Sequence, residues 1–168
     1  MSSAYLVVLG ERDAIRWVLA EQRMAFPATQ RTEVTALTPD DRLLLYATRG
    51  AWHNPTRDRG RLIGTATVTG PVRRLDPPVE IAERAFHSGC RLAIDGVVPY
   101  PGGLELQPLV TRLAAFPKPH AWSIYLRRPL LRLTDDDYTL LERELHPLLT
   151  TRGLGLSTYP STKVAAGN

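Results

Sequence analysis

The sequence is poor in cysteine and lysine. Cys90 is the single cysteine among 168 residues, which excludes an intramolecular disulfide and a metal site built from several thiolates. Lys118 and Lys163 are the only lysines among 21 basic residues, so arginine carries the net charge of +4. The planar guanidinium binds phosphate and stacks on bases, so this composition permits nucleic-acid binding, although a GC-rich coding sequence would also favour arginine codons.

The chain also lacks long apolar runs, since none approaches the ~20 residues that a membrane span needs. The N-terminal segment MSSAYLVVLGERD has no basic region followed by an apolar stretch and a cleavage site, so we expect a soluble, cytoplasmic protein with no membrane partner. With 43% hydrophobic residues the chain can bury one core. We predict a single domain over residues 1–150 and a flexible, Gly- and Ser-rich tail over 151–168.

Common enzyme signatures are missing as well. The sequence contains no GxGxxG, GxxxxGK[ST], GxSxG or HExxH, the motifs of nucleotide-binding loops, hydrolase elbows and zinc proteases. The four histidines lie far apart beside loops or prolines, and Cys90 has no identifiable base near it. The aspartates 135–137 are best explained as favourable charges at a helix N-terminus. These observations predict no catalytic residues, no metal and no cofactor.

Short apolar runs dominate what is present. They predict strands over residues 5–9, 42–48, 61–72, 91–99 and 104–106, and helices over 11–24, 108–116 and 134–145. We expect residues 28–38 to form a loop or edge strand and 122–133 to be extended. Residues 76–86 are too proline-rich to assign, although IAERAF could form one or two helical turns. Strands outnumber helices, which predicts an α+β fold with a small, partly closed β-barrel of about five to six strands flanked by helices.

Aromatic residues recur near the ends of these strands. They are Tyr5, Phe26, Tyr46, Trp52, Trp122 and Tyr125. Aromatic faces that stack bases, beside arginines that hold phosphates, are typical of proteins that bind unpaired or flipped nucleotides. Small barrels also bury aromatic side chains, so a core position for Trp122 stays open as the alternative.

Three stretches in order resemble EVE domains, members of the PUA-like superfamily. AYLVVLGERDAIRWVL resembles the opening strand and helix, and DRLLLYATRG with RLIGTATVTGPVRRLD resembles two strands around a variable loop. QPLVTRLAAFPKPHAWSIYLRRPLLRLTDDDYTLLERELHPLL is similar to the family's Trp-Ser and Asp-Tyr ending. The resemblance spans roughly residues 4–149 and implies a bent barrel like that of PUA and YTH domains. It also implies a non-catalytic module that binds DNA or RNA, often with a modified base.

The resemblance implies a set of site residues. Trp122 and Ser123 match the family's Trp-Ser at an aromatic pocket, and Tyr46 matches the tyrosine that closes its strand. Tyr5 takes the place of a first-strand Trp, and Phe26 stands near a second Trp. These two offer smaller stacking faces than tryptophan, which implies a different ligand or a weaker cage.

The resulting hypothesis is that an extruded base stacks on Trp122 and on Tyr5 or Phe26. Polar groups of Ser123, Thr48 or Asn54 would read the edge of the base. Trp52 lies in the variable loop, where it would adjust the preference. The phosphates would contact four arginines: Arg49, Arg57, Arg59 and Arg127.

Two other functions remain open from the sequence. One is an RNA-processing nuclease like the related ASCH domains, which a buried His or Lys beside the pocket would favour. The other is a protein-interaction adaptor, which a flat exposed aromatic patch would favour. The sequence carries no signal for the oligomeric state.

Overall fold

The computed structural model describes residues 2–27, 32–54 and 56–160. Eight strands lie within these residues: β1 (Ala4–Leu9), β2 (Arg23–Phe26), β3 (Arg42–Ala47), β4 (Arg61–Val68), β5 (Arg73–Ile81), β6 (Arg84–Val97), β7 (Leu104–Glu105) and β8 (Leu130–Leu133). The α-helices of the same ranges are α1 (Arg12–Glu21), α2 (Thr32–Thr35), α3 (Asp135–Leu145) and α4 (Arg152–Ser157). Three 3₁₀ helices cover Gln107–Arg112, Pro119–Leu126 and His146–Leu148. No helix in the described ranges is long and apolar enough to cross a bilayer.

The strands form one mixed, curled sheet. Its order is β2-β6-β4-β3-β1-β8, with β5 paired to β6 and β7 paired to β4. β1 and β3 run parallel and lie inside the sheet, and the other pairs are antiparallel. Their near-continuous apolar sequences suit strands that are buried on both faces. The curled half-barrel with flanking helices confirms the predicted α+β class and partly closed barrel, and it is consistent with a PUA-like fold. The sheet has more strands than the five to six predicted.

Each face of the sheet buries its own core. The α1-side core contains Val7, Leu43 and Leu45 and is covered by α1 through Ile15 and Leu19. The opposite face forms the α3-side core, in which Leu6, Leu44 and Tyr46 pack with Leu141 and Leu145 of α3. Neighbouring residues of β3 therefore enter different cores, as the two-residue period of a strand requires. The start of α3 is capped by Thr134, whose side chain accepts a hydrogen bond from the Asp137 amide.

Two irregularities bend the sheet near its middle. The β3–β4 pairing shifts register between Leu45 and Tyr46, and the β4–β6 pairing shifts between Thr65 and Ala66. Such shifts increase the local twist and redirect the side chains that follow. The first shift lies beside Tyr46 near the end of β3, where Ile63 is the extra residue of β4.

The segment predicted as extended from residue 122 is different in the structure. Pro119–Leu126 is a 3₁₀ helix and only Leu130–Leu133 is a strand. Proline at the first turn favours this helical start. Residues 76–86, which are too proline-rich to assign from the sequence, belong to the β5–β6 hairpin. Its turn residues Ala82 and Glu83 both have positive φ. Of the predicted loop or edge strand over 28–38, residues 32–35 form α2, and residues 28–31 lie outside the described residues.

The C-terminal segment packs on the domain where a loose tail was predicted. Arg152 at the start of α4 donates a hydrogen bond to the Leu19 carbonyl at 2.9 Å, which ties α4 to the end of α1. Tyr159 is buried and donates to the Val98 carbonyl at 2.8 Å. The prediction failed at 151–160 because one buried tyrosine and one arginine anchor a segment whose glycines suggested flexibility. The rest of the predicted tail, residues 161–168, lies outside the described residues.

Candidate functional site

A cavity of about 920 Å³ opens where β3 ends and β4 begins. We call it the Trp122 cavity. Its wall comes from the end of β3, the loop between β3 and β4, and the two 3₁₀ helices after β7. The wall residues are Tyr46, Thr48, Arg49, Gly50, Thr56, Arg59, Gly60, Gln107, Trp122, Ser123 and Leu126.

Trp122 is half-buried and is supported from the α3-side core. Its ring lies edge-on to Phe116, with ring centroids 6.3 Å apart and planes 82° apart. Phe116 is buried and also contacts Tyr125 at a centroid distance of 5.8 Å. Edge-to-face packing of this kind is favourable and fixes the ring planes. Trp122 therefore presents a firmly supported aromatic surface to the cavity.

The loop that carries Phe116 is fixed by α3. Both carboxylate oxygens of Asp137 accept hydrogen bonds from backbone amides, from Ala114 at 2.9 Å and from Ala115 at 2.8 Å. Asp137 is buried, and hydrogen bonds to a charged group are stronger than neutral ones. The aspartates explained from the sequence as helix-end charges thus include one that holds the support of Trp122 in place.

Tyr46 also borders the cavity, although only 3% of the residue is exposed. Its hydroxyl forms no hydrogen bond with any described residue. Burial raises the pKa of Tyr46 to about 12, and the nearby Arg49 opposes that shift. The phenol therefore stays protonated at neutral pH and can donate a hydrogen bond into the cavity.

The charged groups of the wall are both cationic. Arg49 and Arg59 are exposed, and neither forms an ion pair with a carboxylate in the described part of the chain. Arg59 donates one hydrogen bond to the carbonyl of its neighbour Asp58 at 3.1 Å. Their guanidiniums can therefore bind an anion at the cavity mouth.

The structure brings together six of the residues that the sequence singled out. They are Tyr46, Thr48, Arg49, Arg59, Trp122 and Ser123. Gly60 and Gln107 also form the wall, and sequence reasoning missed both. A glycine just before a strand was the available signal for the first. No feature of the sequence distinguished Gln107.

The structure places Tyr5 and Phe26 in the α1-side core, away from the Trp122 cavity. Tyr5 is 3% exposed and Phe26 is 1% exposed. Alternation along β1 places Tyr5 in the same core as Val7. Phe26 lies on β2, which is at the end of the strand order opposite to β8. Neither ring is therefore placed to stack a base against Trp122.

The remaining predicted residues also lie outside the cavity wall. Trp52 packs with Tyr100 and Tyr159 at centroid distances of 4.9 and 5.7 Å, an aromatic cluster that holds the C-terminal segment. The carbonyl of Asn54 accepts from the backbone amides of Arg57 and Asp58 in a turn. Arg57 and Arg127 are exposed and are close in sequence to the wall residues Arg59 and Leu126, but neither borders the cavity.

The arrangement can stack a flat ring, donate hydrogen bonds and hold an anion. Among the described residues, the wall includes neither histidine nor lysine, and no group of three or more His, Cys, Asp or Glu could hold a metal ion.

The sequence matches no family model and no curated protein. Solved structures do share its architecture. A hypothetical protein from Leishmania major has a TM-score of 0.54 at 14% identity, over 86% of this chain and 94% of that one. Rpa0253 from Rhodopseudomonas palustris also has a TM-score of 0.54, at 13% identity, over 87% of this chain and 94% of that one. Human THYN1, solved in complex with DNA containing 5-methylcytosine, has a TM-score of 0.50 at 8% identity, over 85% of this chain and 97% of that one.

The fold is PUA-like. At these identities the similarity shows the fold alone, and the PUA-like architecture agrees with what the resemblance to EVE domains implied.

Proposed function

We propose that this protein is an EVE-like, non-catalytic module that binds DNA or RNA through an extruded base held in the Trp122 cavity. One observation carries the proposal. Trp122, the Tyr46 hydroxyl and two arginines border the same cavity, although they come from distant parts of the chain. Neither arginine has a carboxylate partner among the described residues. Aromatic rings that stack bases next to guanidiniums that hold phosphates are what recognition of a flipped base requires.

The base would lie against the supported face of Trp122. Stacking on an aromatic side chain contributes about 1–3 kcal/mol per base. The Tyr46 hydroxyl, together with Thr48 or Ser123, would pair with polar atoms on the base edge, because a buried polar group left unpaired disfavours the wrong base. Leu126 is the aliphatic residue of the wall and would contact a methyl group on a modified base.

The phosphates would lie at the mouth of the cavity. Arg49 and Arg59 border the cavity. Two further arginines are exposed: Arg57 is two residues from Arg59, and Arg127 follows the wall residue Leu126. Binding through these groups releases counterions, so affinity would fall as salt rises. The fold shared with THYN1, which was solved with DNA containing 5-methylcytosine, supports a nucleic-acid ligand and makes cytosine and 5-methylcytosine the first pair to compare.

The test is a titration of fluorescent DNA and RNA oligonucleotides, each with cytosine or 5-methylcytosine, over a range of salt concentrations. Trp122→Ala should weaken binding by tens of fold, because a stacking partner is lost. Ile124→Ala on the same 3₁₀ helix is the matched control, since that side chain is 53% exposed and is not part of the cavity wall. If no oligonucleotide binds at low salt, or if both variants behave like the wild type, the proposal is wrong.

The same oligonucleotides test the alternative that the protein is a nuclease. Oligonucleotides recovered after prolonged incubation, with and without chelator, should be intact. Defined cleavage products that disappear in Trp122→Ala would assign the cavity to an ASCH-like activity in place of a reader.

A further inference from the structure

A second cavity of about 930 Å³ lies at the other end of β4. It is bounded by the end of α1, by β2, by the connection from β4 to β5, and by β6. We call it the Arg91 cavity. Its volume is within the range of small-ligand sites. Unlike the Trp122 cavity, its described wall contains no aromatic side chain, but it contains three arginines: Arg23, Arg73 and Arg91.

The pairing of the strands forces these arginines together. Arg23 on β2 lies directly opposite Arg91 on β6, so their side chains share one face of the sheet. Arg73 on β5 lies opposite Gly89, two residues from Arg91 on the same strand and therefore on the same face. A side chain at Gly89 would collide with the Met24 carbonyl, so β2 backbone lies close to this position and only glycine fits there.

Within the described residues, little negative charge lies beside this arginine cluster. Like charges directly opposite one another on neighbouring strands are destabilising. Glu21 is the one carboxylate of the wall, and in the described part of the chain none of the three guanidiniums forms an ion pair or hydrogen bond. Arg23 is positioned over the ring of Trp17, with its guanidinium carbon 5.2 Å from the ring centroid. The cluster therefore lacks an anion that would offset its repulsion.

We propose that the Arg91 cavity binds a phosphodiester of the same nucleic acid whose base enters the Trp122 cavity. This inference rests on the proposed function for the identity of the ligand. Phosphate suits the site because a planar guanidinium fork matches its oxygens, and several forks can share one group. Without an aromatic surface the cavity offers nothing for a base to stack on, so it would position the backbone without reading sequence.

The spacing of the two cavities sets the length of nucleic acid required. Gly60, just before β4, borders the Trp122 cavity, and Thr69, just after β4, borders the Arg91 cavity. At about 3.3 Å per strand residue the separation is at most roughly 30 Å, and the bends in β4 shorten it. With successive phosphates of one strand about 3.4 Å apart along a duplex axis, about sixteen nucleotides are long enough to reach both cavities and about three are not.

The experiment compares single arginine variants on short and long oligonucleotides. Arg73→Gln and Arg91→Gln should each weaken binding of an oligonucleotide of about sixteen nucleotides roughly three- to tenfold at ~50 mM salt, and lower the salt slope by about one. Binding of an oligonucleotide of about three nucleotides, which cannot reach both cavities, should be unchanged, as should the preference between cytosine and 5-methylcytosine.

The chain offers a matched control in Arg74. It neighbours Arg73 on β5, is also exposed and does not border the cavity, because successive strand residues point to opposite faces. Arg74→Gln should bind like the wild type, and Arg73→Lys should retain most of the salt slope. Thermal melting of each variant verifies folding, which matters most for Arg23→Gln because of its contact with Trp17.

The outcomes separate this inference from the proposed function. If Arg73→Gln and Arg91→Gln bind the long oligonucleotide like the wild type while Trp122→Ala does not, the phosphodiester site is wrong and the base site stands. If the arginine variants weaken binding but Trp122→Ala does not, the phosphodiester site stands and the base site is wrong. Absence of any oligonucleotide binding overturns both. Micromolar binding of inorganic phosphate that is lost in Arg91→Gln, with no effect on oligonucleotides, would assign the cavity to a free phosphate and overturn the proposed source.

Discussion

The phenol of Tyr46 occupies the space in which a side chain at residue 60 would begin, because a Cβ added at Gly60 would overlap the Tyr46 hydroxyl oxygen. Gly60→Ala should therefore displace Tyr46, costing about 1–3 kcal/mol of stability as overpacking does, and should weaken oligonucleotide binding. Gly50→Ala is the control, since Gly50 borders the same cavity and its added Cβ would meet nothing within 4 Å. Denaturant unfolding and oligonucleotide titration of both variants check this, and equal behaviour of the two would contradict it.

Asp137 should contribute more to the free energy of unfolding than its neighbour Asp136 in the same helical turn. Asp137→Ala removes the acceptor of two backbone amides and should lower the free energy of unfolding by about 2–4 kcal/mol. Asp136 is exposed, and Asp136→Ala should cost no more than about 1 kcal/mol through its charge at the helix N-terminus. Chemical denaturation measures both. Because Asp137 fixes the loop before Phe116, its loss should also shift the fluorescence of Trp122, which a Trp122→Phe background would verify.

Alkaline pH should destabilise the fold in part through Tyr46. Burial raises the pKa of Tyr46 from 10.0 to about 12, so the unfolded chain loses this proton first. The stabilising contribution is fully present below pH 10 and is lost progressively as pH rises toward 12. Tyrosinate absorbance during an alkaline titration should show late-titrating tyrosines in the folded protein, and Tyr46→Phe should remove one of them. A titration in denaturant, where every tyrosine ionises near pH 10, is the control.

The C-terminal segment should contribute strongly to stability. Tyr159→Ala should cost about 3–5 kcal/mol because it empties a buried aromatic position. Tyr159→Phe, which loses only the hydrogen bond to Val98, should cost about 0.5–1.5 kcal/mol. Leu154→Ala in α4 is the control, as that side chain is 64% exposed and its loss should change stability by less than about 0.5 kcal/mol. Equal melting temperatures for Tyr159→Ala and the wild type would show that the segment is dispensable.

The parts of the fold that the sequence predicted best are those buried on both sides. β1 and β3 are near-continuous apolar runs, and β4 is buried along most of its length. α3 begins with a recognisable cap at Thr134. β5 could not be recognised because most of its side chains face solvent and it contains Pro77 and Pro78, which argue against a strand. The extended prediction after Trp122 failed because the segment has no strand alternation and starts with the proline that favours a helical turn.

The candidate site was predictable in part for a similar reason. Tyr46 and Trp122 matched motifs whose spacing could be compared with a family, and both line one cavity. The direction of Tyr5 depends on the strand register between β1 and β3, which composition does not specify. The Arg91 cavity depends on which strands pair across β6, a long-range property that short motifs do not contain.

β1 lies between β3 and β8, so one edge of β1 is covered by a strand that is synthesised much later. Until residues 130–133 leave the ribosome, a nascent chain presents one edge of an apolar strand with its hydrogen-bonding groups unpaired. Such edges recruit other chains and chaperones. A product that ends before β8 cannot cover this edge of β1, and such products should accumulate as aggregates or chaperone complexes.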